Sequence, residues 1–184
     1  GDETIKTALT NYFDDRIEKI PCLSEPECGT LFQLLRHFTN YLDRYPQFID
    51  EVFPELKELY PRVVDVSSKG LILALIARSQ RAEALEFLKS IYDTEEALQE
   101  TIIDKLSGNQ QAVDFLFEKY HSGKALKAKV ITSLLKSEQG LKYFIQHFFT
   151  FELDQQETIV KNISFTNEDY LMEFIGKIYE SDLY

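Results

Sequence analysis

Ala84-Leu-Glu-Phe-Leu88, Ala112-Val-Asp-Phe-Leu116, Leu141-Lys-Tyr-Phe-Ile145 and Leu171-Met-Glu-Phe-Ile175 are four versions of one pattern. Their phenylalanines, Phe87, Phe115, Phe144 and Phe174, follow one another at 28, 29 and 30 residues, and five positions beyond each stands a further aromatic, Tyr92, Tyr120, Phe149 and Tyr179. A second register runs between them: Ile102-Ile103 with Leu106, Val130-Ile131 with Leu134, and Ile159-Val160 with Ile163, at steps of 28 and 29. Apolar residues three and four apart line one face of a helix, so each unit holds two helices. A short hairpin cannot bury its own apolar side, and a fixed period of this size therefore reads as hairpins stacked one on the next.

The punctuation between the registers agrees. Asp93-Thr94-Glu95-Glu96 offers a helix cap with Glu three residues on, Gly108-Asn109 a stop followed by a cap, and Thr166-Asn167-Glu168-Asp169 a start with acids at the positive end of the helix. Connections this short force neighbouring helices antiparallel. Upstream, Phe48 to Tyr60 and Gly70 to Ala77 read as an earlier unit disturbed by Pro54 and Pro61. Further upstream, Ile5, Ala8, Leu9, Tyr12, Phe13, Ile17 and Ile20 form one helical stripe, ended by Pro21. Leu31, Leu34, Leu35, Phe38 and Leu42 mark a second, closed by Tyr45-Pro46. The expected organisation is all-α, with an N-terminal helical hairpin over 1–47 as a cap and repeats over 48–184 packed as one continuous domain.

Over roughly residues 48 to 180 this period and apolar pattern resemble the HEAT-like α-solenoid family of the short bacterial type. The proline and the Asp/Arg ladder of many HEAT units are not found, and neither are the signature and the 34-residue period of tetratricopeptide repeats. The resemblance implies that the second helices line a concave face that binds a protein or peptide. The expected function is thus a non-enzymatic interaction or scaffold domain. The rival is a structural spacer within a larger secreted, periplasmic or surface-anchored protein. HEAT-like DNA-repair glycosylases are a remote alternative, because their groove is basic and aromatic whereas this chain lacks Trp and carries a formal charge of −11.

That charge argues against nucleic acid, where binding draws most of its affinity from Lys and Arg neutralising phosphates. It is unevenly spread: residues 1–65 carry 13 acids and 7 bases, 66–136 carry 9 and 10, and 137–184 carry 9 and 3. Uncharged runs such as Gly70 to Ala77 fall far short of the ~20 residues needed to span a membrane, so no membrane insertion of this segment is expected. His37, His121 and His147 lie in separate units, and none has a second His or Cys three or four residues away. No nucleophile elbow and no phosphate-binding glycine loop occur. Neither a metal, a cofactor nor an enzymatic activity is expected.

Three local features are candidates for more than packing. Cys22 and Cys28, the only cysteines, flank a stretch containing Pro and Ser that reads as a loop. They are either a disulfide, which would place the protein in a periplasm or outside the cell rather than in the cytoplasm, or two unrelated thiols. Lys119, Lys124, Lys127, Lys129 and Lys136 concentrate positive charge in one hairpin, either to meet an acidic partner or simply to solvate it. Tyr143, Phe144, Phe148, Phe149 and Phe151 are too dense all to point inward. Phe144 and Phe148 read as core, and Tyr143, Phe149 or Phe151 as a contact patch. Lys124, Lys127, Lys129, Tyr143, Phe149 and Phe151 are therefore the candidate partner-binding residues.

Overall fold

The computed structural model describes residues 25–123, 126–163 and 168–181, and no strand occurs among them. Ten α-helices follow in order among the described residues: α1 Glu25–Arg44, α2 Ile49–Leu59, α3 Val66–Ile76, α4 Ala82–Thr94, α5 Gln99–Leu106, α6 Val113–Ser122, α7 Lys127–Leu134, α8 Glu138–Gln146, α9 Leu153–Asn162 and α10 Glu168–Ser181. Turns of 3-10 helix at Pro46–Phe48, Tyr60–Arg62, Glu96–Leu98, Gln110–Ala112 and Phe148–Thr150 join several of them. The chain divides into two compact units, residues 1–105 and 106–184.

In the first unit α3 is the central helix, packed against α1, α2 and α4. Its sequence explains the position. Ile72, Leu73, Leu75 and Ile76 are all fully buried, and a helical stretch with apolar residues on successive faces is stable where neighbours cover most of it. Asp65 starts it, its side chain accepting the Ser68 amide at 2.7 Å and supplying a partner that the first helical turn lacks. That amide holds the Asp65 carboxyl below the usual carboxylate range. Neither proline breaks the unit: α2 runs through Pro54, whose side is exposed, and Pro61 falls in the 3-10 turn after α2, where its fixed φ is tolerated.

In the second unit α7 packs against α6, α8 and α9, and α8 also against α10. Only Leu135, Lys136 and Ser137 separate α7 from α8. Ser137 makes the corner, donating its hydroxyl to the Leu134 carbonyl at 2.8 Å and accepting the Gly140 amide at 3.1 Å. Gly140 is required there, because a Cβ would lie 2.7 Å from the Leu134 carbonyl carbon and 2.9 Å from Ser137 Oγ. Gly108 closes α5 with φ at 80°, and Asn109 Oδ1 accepts the Gln111 amide at 2.9 Å, the stop and cap that the sequence predicts.

Two local expectations are corrected. The loop predicted around Cys22–Gly29 is helical from Glu25 onward. Pro26 is its second residue, a position where no intrahelical amide bond is needed, so a proline can start a helix there. Cys28 thus belongs to α1, while Cys22 and any bridge between the two lie outside the described residues. The start predicted at Asp93 is also displaced. α4 continues through Thr94, whose hydroxyl bonds back to the Ser90 carbonyl at 2.8 Å, and the next helix begins after the 3-10 turn Glu96–Leu98. The stripe predicted over residues 5–20 and the start at Thr166-Asn167 fall outside the described residues.

Candidate functional site

The aligned phenylalanines are core in three units, with Phe115, Phe144 and Phe174 buried, while Phe87 is half-buried. Around Phe144 the second unit gathers a cluster of rings. Tyr120 on α6 meets Phe144 on α8 edge-on at 5.5 Å and Phe151, beyond the turn after α8, at 6.4 Å. Tyr143 lies beside Phe117 at 5.1 Å, Phe144 at 5.4 Å and Phe151 at 6.1 Å. Edge-on pairs at these separations add to burial because the positive rim of one ring faces the negative face of the next.

Lys127, the first residue of α7, places Nζ 5.0 Å from the centre of the Tyr120 ring. Its position carries an electrostatic cost. The start of a helix is its positive end, and α7 has Lys127 and Lys129 in its first turn with no acid there. The ring face offsets part of that cost by drawing the ammonium group. Leu126, immediately before it, holds φ at 59°, the left-handed region that side chains seldom enter, and so swings the chain into α7.

The cluster has a buried polar anchor. The Tyr120 hydroxyl donates to Gln155 Oε1 at 3.4 Å, and both residues are buried. Burial raises the Tyr120 phenol, with smaller pushes from Tyr143 and Glu152, to about 12. Tyr120 is therefore neutral over the physiological range and serves as a platform.

Of the residues singled out in the sequence, Lys127, Tyr143 and Phe151 are brought together about Tyr120. Lys129 is half-buried on the same helix. Phe149 stands apart, 48% exposed, with its ring against Phe148 at 5.2 Å. Lys124 lies outside the described residues. Sequence reasoning missed His121 and His147, which it assigned to separate units. Their rings flank Tyr143 at 6.3 and 4.9 Å. The five-residue step from Phe115 to Tyr120, already part of the repeat, was the signal that could have placed His121 at the cluster's edge.

The first unit offers a different feature, a shallow open groove of about 490 Å³ lined by Phe53, Pro54, Lys57, Glu58, Arg81 and Glu83. Arg81 lies 5.9 Å from the Phe53 ring centre, and the lining carries both signs of charge without a convergent polar group. Among the described residues no three His, Cys, Asp or Glu side chains group to hold a metal ion, and no helix is long and apolar enough to cross a membrane. No protein-family model, curated protein or solved structure matches the chain.

Proposed function

We propose that this chain is a non-enzymatic helical-repeat module of the α-solenoid type that binds an acidic segment of another protein against α7 and the Tyr120–Tyr143–Phe151 rings. The observation that carries this reading is Lys127 lying over Tyr120 at the positive end of α7. Lys127, placed where it opposes the helix dipole, costs stability, and an acidic partner would turn that cost into affinity. Half-exposed Tyr143 and Phe151 beside it supply aromatic anchors of the kind that dominate interface energies. Support for the repeat comes from packing two places along the chain: α1 with α3, α7 with α9, and α8 with α10.

The test is binding of fluorescent acidic peptides bearing one Tyr or Phe, followed by anisotropy at low salt. Lys127→Glu and Tyr143→Ala, each checked for retained helicity, should weaken the best binder about tenfold, equivalent to ~1.4 kcal/mol. Binding that survives both substitutions, or no binding by the folded chain, refutes the reading.

A further inference from the structure

The two registers of the repeat open at the same end of the second unit. The residue after each aligned phenylalanine is Leu88, Leu116, Ile145 and Ile175; the first three are 1%, 1% and 0% exposed, and Ile175 is 48% exposed. In the second register Ile103 and Ile131 are 0% and 1% exposed, and the corresponding Val160 is 53% exposed. These are side chains of core type at core positions, left in water at α9 and α10.

What covers the preceding helix is visible. On α8, Phe148 in the following turn receives the Phe174 ring of α10 edge-on at 5.0 Å, and Glu138 accepts the Tyr170 hydroxyl at 2.8 Å. α10 therefore lies along α8 through Tyr170 and Phe174 and presents Met172, Ile175 and Tyr179 to solvent. Those three stand at i, i+3 and i+7, one stripe of a helix and the geometry that a further helix needs.

Charge selects the occupant. Residues 152–182 carry eight acids and two bases, and both bases are closed on their own helices, Lys161 on Glu157 at 2.6 Å and Lys177 on Glu173 at 3.4 Å. A second copy of α10 would set acid against acid. The amphipathic stretch 1–20 of this chain is also acidic, with five acids to three bases. A helix flanked by lysine or arginine meets both the apolar stripe and the net acidity of this segment.

We propose that the Met172–Ile175–Tyr179 stripe of α10 docks an amphipathic helix of a partner protein whose apolar face is bordered by Lys or Arg, lying on α10 as α10 lies on α8. This site is separate from the Tyr120–Lys127 surface and does not rest on that reading. The probe is a lactam-held helical peptide of about 16 residues, long enough to hold helix, with leucines on one stripe and lysines on both flanks. Its twin carries glutamates in place of the lysines. Calorimetry with the full chain should show the lysine peptide binding at least about tenfold tighter than its twin, and weakening several-fold as salt rises and screens the rim. Ile175→Lys should weaken it by about tenfold or more, and Met172→Lys, at a more exposed position, guards against a folding defect. Leu153→Ser on α9 removes a still more exposed apolar side chain elsewhere and should leave binding unchanged. The proposal is overturned if the two peptides bind alike, if the lysine peptide does not bind, or if Ile175→Lys and Met172→Lys bind as the unaltered chain does. It is likewise overturned if the chain sediments as a dimer that Ile175→Lys dissociates, because the stripe then belongs to a second copy.

Discussion

In residues 25–105 the joints between helices are closed mainly by polar side chains, with Tyr60 on Phe87 at 5.5 Å as a ring pair among them, whereas in residues 106–181 ring contacts predominate beside the Ser137, Gln155 and Glu138 hydrogen bonds. Glu95, at the end of α4, receives the Tyr60 hydroxyl at 3.0 Å and Lys69 Nζ at 2.7 Å, and Lys69 also lies over the Tyr60 ring at 4.9 Å. Asp50 accepts the Ser79 hydroxyl at 2.6 Å and the Gln80 amide at 3.0 Å, tying α2 to the turn after α3. Arg78 reaches the Leu42 carbonyl at 3.1 Å and Asp43 at 2.9 Å. In the second unit Tyr120, Tyr143, Phe144, Phe148, Phe151 and Phe174 take the corresponding place. Hydrogen bonds hold a joint in one geometry and fail when one atom is removed. Ring contacts spread over many atoms and leave half-exposed faces that a partner can use.

Truncating the centre of the ring cluster should have the largest effect. Phe144→Ala removes a fully buried side chain, and its loss should cost about 3 to 5 kcal/mol in urea unfolding, with a fall in near-ultraviolet tyrosine signal. A cost below about 1 kcal/mol would mean that the rings merely fill space. In the first unit, Glu95→Ala leaves the Tyr60 hydroxyl and Lys69 without their shared acceptor and should cost about 1 to 3 kcal/mol. Gly140→Ala drives a methyl group into the Leu134 backbone and should cost about 1 to 3 kcal/mol through overpacking, which a shift in melting temperature would register.

Alkali separates the units more subtly. The Tyr120 phenol is raised to about 12 by burial, and a group whose folded value lies above its unfolded value of about 10 stabilises fully below pH 10. That contribution fades as pH rises through about 12. Urea midpoints should therefore fall between pH 10 and 12, and less steeply in Tyr120→Phe. Burial and Glu95 push Tyr60 further in the same direction, so Tyr60→Phe should flatten the first unit's share of the loss. A smaller effect belongs to a cap: Asp65→Ala should cost about 1 kcal/mol, read as a small drop in urea midpoint.

The all-α class was legible in the sequence because apolar period is a local property. The second-register residues Ile102, Val130 and Ile159 are all buried, as their spacing requires. Helix starts were less legible. Pro26 and Asp93 are residues whose meaning depends on whether the adjoining turn is already helical, and neighbouring residues alone do not decide it. The site was half legible. Lys127, Tyr143 and Phe151 were named from composition; His147, four residues beyond Tyr143 at the end of the same helix, was within reach of that reading and was missed, whereas His121 meets Tyr143 only once α6 and α8 lie side by side. Whether Val160 and Ile175 are open likewise depends on what covers them, although their residue type matches that of their buried counterparts.

The most direct test of the repeat and of its open end is the paired unfolding of Ile145→Ala and Ile175→Ala, one position in two successive units. The buried Ile145 should cost about 2 to 5 kcal/mol and the half-exposed Ile175 less than about 1 kcal/mol. Equal losses would contradict the account, because Ile175 would then be covered as its three counterparts are.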